Sequence, residues 1–200
     1  ILTALERDEL RLGGEGCEVT VAFADVRGFT SMSENIQAEE LVRALNIYLS
    51  IVIGEVQKQD GIINKFGGDS IMAVWNVPTP CKEHALRATI AAIQAQRAIK
   101  ELQQKDETLL KMDFRIGINT GVAVAGNLGS QDRLEYSVIG DTVNVASRLT
   151  ALADTGRVWI SSSTYELVKD HVVVKELEPL TVKGKREAIK AYEVVNMSIE

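Results

Sequence analysis

The stretch Gly61-Ile-Ile-Asn-Lys-Phe66-Gly67-Gly68-Asp69-Ser70-Ile-Met-Ala-Val-Trp75 decides the fold. Two short apolar runs, Gly61 to Phe66 and Ser70 to Trp75, flank paired glycines and an aspartate, which is the pattern of a tight β-hairpin. Upstream, Val19-Thr-Val-Ala-Phe-Ala24 is apolar and rich in β-branched residues, as a central strand buried on both faces should be, and Asp25 ends it. Between the two, Leu41, Leu45, Tyr48, Val52 and Val56 recur at helical spacing, with Glu39 and Glu40 in the first turn where the helix dipole favours acids. Downstream, Cys81 to about Gln104 contains neither Gly nor Pro and predicts a second helix. Met112 to Ala125 supplies the next strand around Gly121, with Phe114, Ile116, Ile118, Val122 and Val124. The order βαββαβ is that of a ferredoxin-like sheet in an α+β domain.

Topology then brings two acids together. A right-handed crossover from the first strand lays the second parallel to it, so the end of the first strand and the hairpin turn share one edge of the sheet. Asp25 and Asp69 are predicted to meet there, and paired carboxylates on a sheet rim suit hard divalent cations. Taken singly, either acid reads as a turn former, and Gly67-Gly68 as hairpin chemistry that also lets a phosphate approach the backbone.

Beyond this unit, Leu134 to Ile139 reads as a strand and Gly140 to Leu152 as a helix. Val158 to Ser163 reads as a strand entering a capped helix, and Val172 to Glu178 and Ala191 to Val195 as the last strands, flanking the loop Val182-Lys-Gly-Lys185. This is a C-terminal αβ extension on the ferredoxin-like sheet. Residues 18–200 are expected to form one domain. Residues 1–17, with Leu5, Leu10 and Leu12 set among charges, read as the end of a helical connector from an upstream sensor or membrane anchor.

Composition narrows the partners. The chain of 200 residues is 46% hydrophobic and 25% charged, enough for one real core. A net charge of -6 argues against a nucleic-acid binder, so any phosphate partner should be a small ligand. Cys17 and Cys81 lack metal or disulfide spacing and favour a reducing, cytoplasmic setting. The most apolar stretch, Leu41 to Val56, is interrupted by Arg43, Asn46, Ser50 and Gly54, so membrane attachment is expected only through upstream segments.

Asn144 and Arg148 lie four apart in the predicted helix and so share a face. Solvated polar residues are one reading. Yet Asn propagates a helix poorly among Val and Ala, and Arg with a nearby amide suits a phosphoryl group that gains charge in its transition state. Lys183 reads as a loop lysine on its own, as do Lys185 and Arg186, and His84 and His171 stand without partner spacing and read as structural or exposed.

Four strings carry a resemblance: Phe23-Ala-Asp-Val-Arg-Gly-Phe-Thr30, Asn64-Lys-Phe-Gly-Gly-Asp69, Tyr136-Ser-Val-Ile-Gly-Asp-Thr-Val-Asn-Val-Ala-Ser-Arg-Leu149 and Val182-Lys-Gly-Lys185. Together, and in order, they resemble the catalytic domain of class III nucleotide cyclases, of the bacterial adenylyl type. The resemblance implies a head-to-tail homodimer that converts ATP to 3',5'-cyclic AMP and pyrophosphate in intracellular signalling. It implies two Mg²⁺ or Mn²⁺ ions held by Asp25, Asp69 and the carbonyl of Val26. Asn144 would orient the ribose and Arg148 would meet charge on the α-phosphate. Lys183 and Gly28-Phe29-Thr30 would contact the other phosphates.

By the same matching, Lys65 and Ser137 choose the base. A lysine has only donors and suits N1 of adenine, while a hydroxyl can accept from the adenine amino group. Guanine would present N1–H to Lys65 and leave both donors unpaired. Ser137 departs from the Asp or Thr common at that position, and it places the chain near bacterial members for which bicarbonate is an effector. The alternatives are a guanylyl cyclase or a catalytically silent nucleotide-binding domain. The hairpin also resembles that of diguanylate cyclases, but Ser70 and Ile71 stand where those enzymes carry Glu and Phe.

Overall fold

Side-chain alternation along the first strand, β1 (Gly13–Val26), sorts the core into two layers. Ala22, Ala24 and Val26 enter one apolar cluster, and Val19 and Val21 enter another, as the twofold period of a strand requires. The computed structural model describes residues 13–130, 133–180 and 188–198. Residues 1–12 of the expected connector lie outside the described residues, as do Lys183, Lys185 and Arg186.

After β1 come α1 (Phe29–Asn35), α2 (Ala38–Lys58), β2 (Ile62–Phe66), β3 (Ser70–Trp75), α3 (His84–Lys105) and β4 (Phe114–Ser130). Then follow β5 (Arg133–Ile139), α4 (Asp141–Leu152), β6 (Val158–Ser161), α5 (Ser162–Val168), β7 (Val172–Glu176) and β8 (Ala191–Met197). The sheet runs β2-β3-β1-β4-β6-β8-β7, with β5 paired to β4 off this path. β3 is antiparallel to both β1 and β2, so β1 and β2 are parallel, as the crossover rule requires. This is the expected α+β architecture with its C-terminal extension.

The strand ends differ from the sequence expectation. β1 begins at Gly13, because Gly13 to Glu18 pair with Asn127 to Val122 of β4. Gly13 to Cys17, read from sequence as connector, therefore belong to the sheet. Their glycines and exposed side chains give no burial pattern, and the backbone ladder to β4 holds them. α3 starts at His84 and not Cys81, whose amide is taken by Asn76 Oδ1 at 2.8 Å.

One face of the sheet is covered by α2 and α3. Leu41, Leu45, Tyr48, Val52 and Val56 pack with Ala88, Ala91, Ala92, Ala95 and Ile99 onto Ala73, Trp75, Phe114 and Ile116. The small residues of α3 let it lie close to the sheet. The other face carries β5 and α4, with Val138 and Ala146 over Val19, Val21, Met72, Val74, Ala123 and Ala125. Gly117 permits this approach, since a Cβ there would lie 2.4 Å from the Thr150 amide nitrogen. Thr150 Oγ1 also reaches the Phe23 carbonyl at 3.3 Å and ties α4 to β1.

Polar groups in the core are paired across strands. Thr20 Oγ1 lies 2.8 Å from Thr120 Oγ1, which lies 3.0 Å from Thr164 Oγ1. His84 joins this chain through Nδ1, 2.7 Å from Thr20, and meets Glu18 at 3.3 Å through Nε2, a structural role. Ser161 caps α5, accepting from the Thr164 amide at 3.2 Å, as its sequence signal indicated. Cys17 and Cys81 are free thiols. Among the described residues no helix is long and apolar enough to cross a membrane.

Candidate active site

The turn between β2 and β3 is closed by the Gly67 amide, which donates to the Ser70 carbonyl at 2.8 Å, with Gly68 at φ 71°, where a side chain would be strained. Ser70 stands opposite Asp25 in the β1–β3 register. Asp69 therefore comes beside Asp25, close enough for a hydrogen bond between their carboxyl groups. Burial pushes the Asp69 carboxyl above its usual range, and the Asp25 charge and the shared hydrogen bond push it further. A backbone amide and the Arg115 charge act the other way.

Arg115 is the residue that sequence reasoning missed. It faces Asp25 in the β1–β4 register, and its Nη2 and Nε donate to Asp25 Oδ2 at 2.7 and 3.1 Å. Its Nη1 donates to the Ala151 carbonyl near the end of α4, at 2.6 Å. The signal was a lone charge inside the apolar run Phe114-Arg-Ile-Gly-Ile118, which a central strand tolerates only beside a counter-charge. One guanidinium beside two carboxylates leaves a net negative site when both are ionised.

That donor set fits a divalent cation. Its carboxylate oxygens are hard donors, and among the described residues no cluster of three acidic, histidine or cysteine side chains exists. Two carboxylates with open positions for water and phosphate oxygens are the usual Mg²⁺ arrangement, in contrast to an all-protein cage. Val26, almost fully buried, ends β1 next to Asp25. Gly28 lies just before α1, so the amides of Phe29 and Thr30 are in the first turn, where a helix leaves its N–H groups without intrahelical partners.

Lys65 and Ser137 stand on strands that do not pair but are bridged by neighbouring side chains. Lys65 Nζ, on β2, lies 3.7 Å from Glu135 of β5, and Asn64 Nδ2 donates to the Tyr136 carbonyl at 2.9 Å. Ser137, the next residue, is 2% exposed, and its Oγ has no hydrogen-bond partner. Asn144 is exposed and Arg148 half-buried, one turn apart on α4 as expected. Among the described residues neither forms a hydrogen bond or ion pair with Asp25 or Asp69. Arg115 nevertheless ties α4 to the carboxylates, through the Ala151 carbonyl on one side and Asp25 on the other.

Residues 15–196 match the sequence profile described as the adenylate and guanylate cyclase catalytic domain. The chain belongs to this family. It is similar to adenylate cyclase 1 of Rhizobium meliloti (strain 1021), with 39% identity over 185 residues, 90% of this chain and 28% of that protein. It is 33% identical over 195 residues to the terminal-differentiation-specific adenylate cyclase of Dictyostelium discoideum, covering 94% of this chain and 9% of that protein. The chain thus spans less than a third of either relative. Its fold matches the crystal structure of the adenylyl cyclase CyaB from P. aeruginosa with a TM-score of 0.87 at 35% identity, covering 92% of this chain and 97% of that one. It matches the guanylyl cyclase Cya2 equally well, with a TM-score of 0.88 at 34% identity over 94% and 96% of the two chains. Both nucleotide specificities occur among the cyclase domains it resembles.

Proposed function

We propose that this cyclase domain is an adenylyl cyclase, acting on ATP as a head-to-tail homodimer with Mg²⁺ or Mn²⁺. The observation that carries the choice of base is a buried Ser137 hydroxyl without a partner among the described residues, on a strand bridged to the one that carries Lys65, which can only donate. Adenine offers an acceptor at N1 and a donor at its amino group, and so satisfies both. Guanine would set N1–H against the lysine and leave donors unpaired, the kind of mismatch that a polar site rejects strongly.

Asp25, Asp69 and the Val26 carbonyl would hold two divalent cations, which supply charge to ionise the ribose 3'-hydroxyl and to neutralise the phosphates. In the reaction the 3'-oxygen attacks the α-phosphorus, the bond to the β-phosphate oxygen breaks, and pyrophosphate leaves. Arg115 sets the orientation of the Asp25 carboxylate by holding Oδ2. Asn144 fixes the ribose for in-line attack, and Arg148 meets charge that builds on the α-phosphate. Lys183 and the amides of Phe29 and Thr30 take the remaining phosphate oxygens, with Gly28 leading into that turn.

In this reading the site is shared between subunits, the carboxylates of one meeting the α4 pair of the other, so that each subunit completes the other. The exposed face of β4 and β5 supports this reading. Val122, Val124, Leu128 and Ile139 are exposed large hydrophobics there, and Val124 stands directly opposite Ile139. A contiguous apolar patch on this arm suits a second copy of the chain. One incubation tests the proposal: purified protein with equimolar ATP and GTP plus Mn²⁺, the products identified by mass. Cyclic AMP in excess is expected. Cyclic GMP in excess would reverse the base assignment, and no cyclic product from a confirmed dimer would point to a silent domain.

A further inference from the structure

We infer that Asn64 is a positioning residue for nucleobase selection, acting by clamping the strand that carries Lys65 to the strand that carries Ser137. This inference rests on the adenylyl reading of that pair and adds the residue that sets their spacing.

Three observations converge on Asn64. First, β2 and β5 share no backbone ladder, because β2 pairs only with β3 and β5 only with β4. A lysine and a serine on such strands have no register to fix their separation. Second, Asn64 is the extra residue in β2: Ile63 pairs with Ala73 and Lys65 with Met72, so Asn64 bulges from the ladder. A bulge frees one residue from the strand's pairing and re-aims its neighbours. Asn64 uses that freedom to donate from Nδ2 to the Tyr136 carbonyl at 2.9 Å, and that carbonyl belongs to the peptide leading into Ser137. The Lys65–Glu135 pair also bridges the two strands, but it is exposed on both sides and long at 3.7 Å, and so holds them weakly.

Third, among the described residues only four buried side-chain polar atoms lack a partner, and two of them are Asn64 Oδ1 and Ser137 Oγ. Buried polar groups are normally satisfied, and leaving one unpaired is costly. Two such atoms, linked through one hydrogen bond to the peptide between Tyr136 and Ser137, mark a polar site built to accept a ligand rather than to close on itself. Asn64 Nδ2 is committed to the protein, so its part is to hold the Ser137 peptide in place while Lys65 and Ser137 meet the base.

The test compares wild type with Asn64→Ala and Asn64→Gln. For each, fluorescence titration gives the affinities for mant-ATP and mant-GTP in the presence of Ca²⁺, and steady-state assays give kcat and KM for ATP and GTP with Mn²⁺. Loss of the clamp should reduce the ATP-to-GTP affinity ratio by roughly fivefold in Asn64→Ala, the effect of one hydrogen bond. The change should fall on KM for ATP more than on kcat. Asn64→Gln keeps an amide donor and should recover part of the ratio. A residue that served packing alone would weaken both nucleotides equally. An unchanged ratio in Asn64→Ala, or equal weakening of both nucleotides, overturns the inference. A wild type that prefers GTP defeats the adenylyl reading separately, and Asn64 is then still judged by whether the ratio moves. A folded wild-type dimer that binds neither nucleotide overturns both.

Discussion

Arg115 and Asp25 face each other across β4 and β1, and the guanidinium closes on a single carboxylate oxygen, Oδ2, through Nη2 at 2.7 Å and Nε at 3.1 Å. Oδ1 is left out of that fork. Both side chains are largely buried, at 15% and 23% exposure, so their pairing offsets a desolvation cost that neither could meet alone. Arg115→Ala should destabilise the metal-free protein by about 2 kcal/mol, between the cost of breaking a fully buried pair and that of an exposed one. Urea denaturation in EDTA measures this, and an unchanged midpoint would show that the pair adds nothing.

Asp69 carries the opposite sign. Its folded-state proton affinity is raised by burial and by Asp25, so the folded chain binds more protons than the unfolded one above the ordinary aspartate value of 3.8. The metal-free fold is therefore penalised as pH rises through the folded-state pKa, and the penalty persists at neutral pH. Asp69→Asn should melt at a higher temperature than wild type at pH 7 in EDTA, while turnover is lost. The difference in melting temperature should shrink as pH falls. A variant that melts lower than wild type at neutral pH would contradict the strained carboxylate pair.

Lys65→Glu should reduce kcat/KM for ATP at least tenfold more than for GTP, because a carboxylate can accept from guanine N1–H and repels adenine N1. It also sets a second acid beside Glu135, 3.7 Å from the lysine it replaces. Equal losses on both nucleotides would show that Lys65 does not read the base.

Much of this arrangement was legible in the sequence. The meeting of Asp25 and Asp69 followed from the strand patterns, the right-handed crossover between the first two strands and the Gly67-Gly68 turn. The start of β1 was not legible, because Gly13 to Cys17 are held by pairing with residues more than 100 positions away and show no burial period of their own. Arg115 escaped because its role appears only once Asp25 stands opposite it. The Asn64 clamp escaped for a similar reason: a bulge is a mismatch between two strands and leaves no mark on either alone.

Mixing Asp25→Ala with Asn144→Ala protein tests the shared site. In each homodimer both sites are dead, but every mixed dimer should regain one intact site. An equimolar mixture should recover about a quarter of wild-type activity if the two chains pair at random. No recovery at concentrations where mixed dimers are shown to form would place both residues in one subunit's site.

Everything chemical here depends on Asp25 and Asp69 gripping the same cations. Mn²⁺ binding followed by electron paramagnetic resonance, with a non-cyclising ATP analogue present, measures this directly in wild type, Asp25→Asn and Asp69→Asn. Tight Mn²⁺ binding in wild type, weakened roughly tenfold or more by either substitution, is the expected result, as removal of one ligand of a two-carboxylate site requires. Full-strength binding in both variants would mean that the paired acids hold no metal.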